Sequence, residues 1–227
     1  MYTLGDGLLA LKDLKDGSVD GVFTDPPWGT GRHIKNKIVG HDTWLDLLRQ
    51  LDKELPRILA PGARVLVWAG MRVTGQIINS FTGVEYRWMV FCRYIPTRFV
   101  AGFEASLDPI IYFARHGDLW PATRNRRRIP ALFSKPSLGF KTTDHPCARP
   151  SAVVHQILGS FFLPGEYVID PFAGSDTTGV AARALGLKWD SWEIDPAMYP
   201  SGLERHAQGH LHDHVDGFWS TTDNPKE

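Results

Sequence analysis

Apolar positions along this chain follow two periods. Six short runs rich in β-branched and aromatic residues read as strands: "VDGVFT", "ARVLVWAG", "YRWMVFCRYI", "DPIIYFAR", "EYVID" and "LKWDSWEID". Between the first two, "TWLDLLRQLDKELPRILAPG" repeats at helical spacing, with Trp44, Leu45, Leu48, Leu51, Leu55 and Ile58 near one face. Thr43 is placed to cap its start and Pro61-Gly62 to end it. "VTGQIINSFTG" predicts a short helix, and an Ala-rich run after "DPFAGSDTT" predicts another. Trp44, Trp68 and Trp88 fall on these patterns and are expected in the core. Strands alternating with helices predict an α/β fold, a mostly parallel sheet with helices on both faces.

One stretch breaks the alternation. From Arg115 to Arg149 there is little periodicity, and Pro121, Pro130, Pro136 and Pro146 interrupt it. It carries eight basic residues against two acidic ones, in a chain of 227 residues whose formal net charge is zero. Attraction to a polyanion must therefore come from this patch. The chain divides into 1–114, the basic insert 115–149, a second half 150–207, and a polar tail 208–227. Cys92 and Cys147 are the only cysteines, which argues against a disulfide framework and a zinc knuckle. His206, His210, His212 and His214 fit no closed zinc set, so no metal is expected and a solvated tail is. The early acidic residues do not resemble a signal peptide, and no apolar run nears the roughly 20 residues of a membrane helix. A reducing cytoplasm is the expected setting.

Two motifs carry chemistry. In "DPFAGSDTT" a strand ends at Asp170, a candidate cofactor-binding residue, and a glycine-containing turn opens a helix. Unpaired N–H groups at the helix start, Gly174, and the Ser175, Thr177 and Thr178 hydroxyls make a nucleotide-type cradle. Glu193 closes the next strand about 20 residues on, where an acid suits ribose hydroxyls. Phe172 in the turn is a candidate cofactor contact, and Asp195 is expected to cap the helix that follows. Neither G-x-G-x-x-G nor P-loop spacing is present, so a dinucleotide or nucleoside triphosphate is not the expected ligand. In "TDPPW", Pro26 and Pro27 fix the backbone and hold Asp25 rigid at a strand end. The Asp25 carboxylate and the Pro26 carbonyl are two acceptors for the two N–H donors of a planar amine. Trp28 offers a face on which its ring can stack.

Together these residues resemble the DNA amino-methyltransferases, whose catalytic motif reads DPPW and whose cofactor motif reads DPF-x-GSGTT. Catalytic motif first and cofactor motif last is similar to the β class. "LGDGLLALKDLKDGSVDGVFTDPPW" resembles the start of that class, where Asp6 would approach the cofactor adenine. "HPCARPSAVVHQIL" resembles its HP-x-x-KP segment, with Arg149 in place of lysine. The resemblance runs from about Leu4 to Ala207. It implies a Rossmann-like, seven-stranded sheet with one antiparallel strand and permuted motif order. It implies S-adenosylmethionine as cofactor, double-stranded DNA as substrate, and base flipping, and it permits a homodimer. It also implies an intracellular enzyme of bacterial or phage type, restriction-partnered or orphan. Asp25 in DPP tilts the target toward the 6-amino group of adenine. The 4-amino group of cytosine is the alternative, and RNA or a small amine a further one. Asp176 stands where the family has glycine, which leaves open a catalytically weak relative that binds DNA or cofactor. Arg124, Arg126, Arg127, Arg128 and Lys135 are the candidate DNA contacts.

Overall fold

The structure is a computed structural model and describes residues 1–28, 41–100, 102–118, 129–134 and 149–208. In chain order it forms β1 (Tyr2–Leu4), α1 (Gly7–Ala10), β2 (Val19–Thr24), α2 (His41–Ile58), β3 (Leu59–Trp68), α3 (Thr74–Ser80) and β4 (Val84–Val100). There follow β5 (Phe103–Arg115), β6 (Leu132–Ser134), α4 (Ser151–Phe161), β7 (Tyr167–Asp170), α5 (Thr177–Ala184), β8 (Lys188–Glu193) and α6 (Tyr199–Gln208).

One eight-stranded sheet runs in the order β1-β8-β7-β2-β3-β5-β4-β6. Only β5 opposes its neighbours; every other pairing is parallel. The mostly parallel sheet with one antiparallel strand is as expected, but among the described residues it has eight strands in place of seven. The edge strands β1 and β6 have three residues each, too few to show a period in sequence. β6 lies inside the basic insert and pairs with Phe91–Arg93 of β4, so that segment contributes to the same sheet.

Alternation along the strands feeds two cores. Val65 and Val67 point to the side of α1, α2 and α3, and Leu66 and Trp68 to the side of α4 and α5. Trp44, Leu48, Leu51, Leu55 and Ile58 of α2 are fully buried on the first side. Each such side chain contributes about 1.5–3 kcal/mol of burial, which holds an 18-residue helix on the sheet. The helix boundaries differ from the expected ones. It starts at His41, so Thr43 lies inside it, and it continues past Pro56 to Ile58. The chain then enters β3 directly, so Pro61-Gly62 belongs to that strand. Trp88 is a further correction: it is 55% exposed. It follows a register shift between Tyr86 and Trp88, which breaks the alternation. Among the described residues no helix is long and apolar enough to cross a membrane.

Candidate active site

The strand order reverses between β7 and β2: the β7–α5–β8 unit runs one way along the sheet and β2–α2–β3 the other. A crevice at the carboxyl ends of such a strand pair is where open α/β sheets bind ligands. Both sequence motifs end there. The Thr24 hydroxyl, last in β2, donates to Asp170 Oδ1, last in β7, at 2.8 Å. The Thr178 hydroxyl donates to Asp170 Oδ2 at 2.6 Å, and the Phe172 N–H to Oδ1 at 3.0 Å. Burial pushes the Asp170 carboxyl up to about 7, while those three donors pull it down. Asp170 therefore fastens the turn after β2 to the turn after β7.

The side of the crevice expected to hold the cofactor is built from three strand ends. Glu193 Oε2 accepts the Gly174 N–H at 2.8 Å and Oε1 accepts the Asp195 N–H at 2.7 Å. A carboxylate offers about four acceptor sites, so this one keeps room for a hydroxyl donor. Burial raises the pKa of this carboxyl, against backbone donors from Asp195, Gly174 and Ile194. Asp6 caps α1, and its Oδ1 accepts from the Leu8 and Leu9 N–H groups. Gly7 brings that helix start onto the turn: a Cβ there would lie 2.3 Å from the Pro171 carbonyl oxygen. At Gly174 a Cβ would meet nothing within 4 Å, so the turn borders open space. An acid with acceptor room left, a half-buried Phe172 and an open glycine turn fit a nucleoside-bearing cofactor. Two hydroxyls are otherwise engaged: Thr178 holds Asp170, and Ser175 accepts from Arg205 at 3.2 Å. Thr177 is buried at the first turn of α5. Asp195 does not cap α6 with its side chain: it accepts the Ala197 N–H at 2.8 Å and closes a turn ahead of that helix, which starts at Tyr199.

Asp176 has a specific place. It adopts left-handed geometry, φ 53° and ψ 45°, and caps α5 by accepting the Gly179 N–H at 3.0 Å. Its second oxygen pairs with His206 Nε2. His206 also stacks on Trp189, with ring centroids 5.9 Å apart and planes 10° apart. This corrects the expectation for His206: it lies in α6 and packs against Trp189 and Asp176, mostly buried. His210, His212 and His214 lie outside the described residues, as do Arg124, Arg126, Arg127, Arg128 and Lys135.

Across the crevice, Asp25 follows β2 directly, Pro26 is buried, and Pro27 and Trp28 are half-buried. Arg149, from the turn before α4, donates from Nε to Asp25 Oδ2 at 2.6 Å. A second nitrogen of the same guanidinium donates to Asp108 Oδ2 at 3.1 Å. The guanidinium carbon lies 4.8 Å from the ring centre of Trp28 and 4.8 Å from that of Trp68. Trp68 also donates to Asp108 Oδ2, at 3.2 Å. Burial drives the Asp25 carboxyl above the ordinary carboxylate range; Arg149 opposes this and Asp108 adds to it. Sequence reasoning missed Asp108, the second role of Trp68 and the position of Arg149. Asp108 carried a signal, a charge opening the apolar run "DPIIYFAR".

An open sheet with a cofactor crevice at its switch point is the architecture of the S-adenosylmethionine methyltransferases. The M1.HpyAVI–SAM complex shares it, with a TM-score of 0.71 at 19% identity over 91% of this chain and 98% of that one. A family model described as DNA methylase matches residues 114–202. The type II methyltransferase M2.DpnII of Streptococcus pneumoniae is 40% identical over 79% of this chain and 79% of its own length. The DNA adenine methyltransferase YhdJ of Escherichia coli is 25% identical over 88% of this chain and 80% of its own. The chain belongs to this family, the DNA methylases that methylate amino groups of bases.

Proposed function

We propose that this enzyme transfers the methyl group of S-adenosylmethionine to the exocyclic 6-amino group of adenine in a specific duplex sequence. The observation that carries the reading is Asp25, held at the switch point beside Trp28 and tied through Thr24 and Asp170 to the cofactor turn. Glu193 and Asp6 would hold the nucleoside part of the cofactor, with Phe172 and Gly174 beside it. When bound, the cofactor supplies a methyl group on a positively charged sulfur.

An aromatic amine is a weak nucleophile, because its lone pair is delocalised into the ring. Asp25 and the Pro26 carbonyl accept its two N–H donors and favour a pyramidal nitrogen. The Asp25 carboxylate also stabilises the positive charge that develops there. Pro26 and Pro27 keep both acceptors from relaxing away, so the remaining contribution is positioning. A base inside a duplex cannot reach this depth and must be flipped, with Trp28 stacking on it. The basic insert, through Arg124, Arg126, Arg127, Arg128 and Lys135, supplies phosphate contacts that orient the duplex. The halves 1–114 and 150–207 make one catalytic domain, and pairing of two copies would widen its footprint on DNA.

The test is expression in a host lacking DNA methylation, followed by modification-sensitive sequencing of the genome. The expected result is 6-methyladenine at one recurring word, absent with Asp25→Ala. 4-methylcytosine would move the target to the other amine, and an unmodified genome would overturn the reading.

A further inference from the structure

Arg149 occupies the place that the proposed chemistry reserves for the target. Its guanidinium is flat, presents N–H donors in its own plane, and lies between two indoles at equal distances of 4.8 Å. It donates to Asp25, the acceptor needed by the amine. An amino-substituted base has the same three attributes: a plane to stack, an edge of N–H donors, and a fit to a carboxylate. Trp28 is also hemmed in elsewhere. A Cβ on Gly70 would come within 3.1 Å of its Cε3 and Cζ3 atoms. A base cannot stack on Trp28 and bond to Asp25 Oδ2 while the guanidinium holds both.

We propose that Arg149 is a built-in occupant of the base slot, a stand-in for the target amine that must swing out before a flipped base can settle. This rests on the function proposed above. A guanidinium held by two carboxylates and two indoles is displaced only by a ligand that brings its own binding energy. A base delivered by a bound duplex has that energy, and a free nucleoside does not. The arrangement thus keeps abundant free amines from the methyl donor. It also lowers the apparent affinity for the base by the fraction of time the slot is filled.

The test measures binding of 9-methyladenine and 1-methylcytosine by calorimetry, above neutral pH. S-adenosylhomocysteine fills the cofactor cradle, so that free bases report on the other slot. Arg149→Ala should bind one of the two bases about tenfold or more tightly than the parent chain, and Arg149→Ala with Trp28→Ala should lose that gain. A folded Arg149→Ala protein, with unchanged melting and S-adenosylhomocysteine binding, that shows no gain would overturn the proposal. A measurement on the parent chain guards against a variant that fails to fold. The Arg149 Nε–H resonance, displaced by the two indole rings, should leave its position when a short duplex carrying the methylated word binds. An unmoved resonance would overturn the proposal. Failure of the underlying function shows separately, as a genome with no modified base.

Discussion

Asp176 and His206 form a pair whose energetics can be worked from their surroundings. The Asp176 side chain is 0% exposed and that of His206 is 16% exposed. Removing His206 leaves an oxygen of a buried carboxylate without its hydrogen-bond partner, which costs about 3 kcal/mol or more for a charged group. The exposed edge of His206 lets water reach part of the gap, which reduces this to about 2–3 kcal/mol. The lost stacking of His206 on Trp189 adds about 0.5–1 kcal/mol. His206→Ala should therefore destabilise by about 3 kcal/mol, or about 6–12 °C in Tm for a chain of this size. Asp176→Gly differs in kind. It removes the buried carboxylate along with its partner's bond, relieves a left-handed aspartate at about 1 kcal/mol, and weakens a cap by only a few tenths. It should cost no more than about 1 kcal/mol. The double variant Asp176→Gly/His206→Ala should therefore be more stable than His206→Ala alone. Urea denaturation of all four proteins gives the coupling directly. If the double variant proves no more stable than His206→Ala, the buried carboxylate does not depend on His206, and the reasoning fails.

Two other outcomes follow from the carboxylates in the crevice. In the proposed reaction Asp25 must be ionised to accept the amine, and burial raises its pKa, so kcat/KM should rise with pH above the ordinary carboxylate range. Asp108→Asn removes a neighbouring charge that pushes Asp25 up and should move that limb to lower pH; an unmoved limb in the pH–rate profile would count against the assignment. Asp170 titrates at about 7 in the folded chain against an ordinary value of 3.8, so the native state binds the extra proton between these values. Its contribution to stability is present below about 4 and lost as pH rises to about 7, up to about 4 kcal/mol. Asp170→Asn should flatten that slope in pH-dependent denaturation, and parallel profiles for the two proteins would refute it.

The sequence was legible where a period or a motif spans enough residues. The α2 stripe from Trp44 to Ile58 showed its buried face, and the six longer strands showed theirs. The three-residue strands β1 and β6 could not, since their pairing is decided by partners far away in sequence. Trp88 reads as core by alternation, yet a register shift turns it outward. At the site, "TDPPW" and "DPFAGSDTT" announced acceptors and a cradle, because proline and glycine constrain the backbone locally. What they could not announce is which side chains spend their hydrogen bonds inside the protein. Asp170, Ser175 and Thr178 looked like ligand groups and are bonded to Thr24, Arg205 and one another. Asp176 and His206 are 30 residues apart, and each alone looked like a departure or a loose end.

The reversed order of the two motifs along the chain is of no consequence to the site, and the sheet shows why. Position at a switch point depends on which strands are neighbours, not on which comes first. β2 and β7 pair directly, through Gly21 with Val168 and Val22 with Ile169. Their last residues are then bonded side chain to side chain, Thr24 to Asp170. Asp25 is one peptide beyond Thr24, and Pro171 one beyond Asp170. On the proposed roles, a shift of the turn after β7 is carried to Asp25 through the β2–β7 pairing and the buried Thr24–Asp170 hydrogen bond. In-line transfer tolerates little misplacement of its reacting atoms. A direct bond between the two strand ends meets that requirement more firmly than packing would, and it accounts for a threonine and an aspartate buried where the alternation of both strands calls for apolar residues.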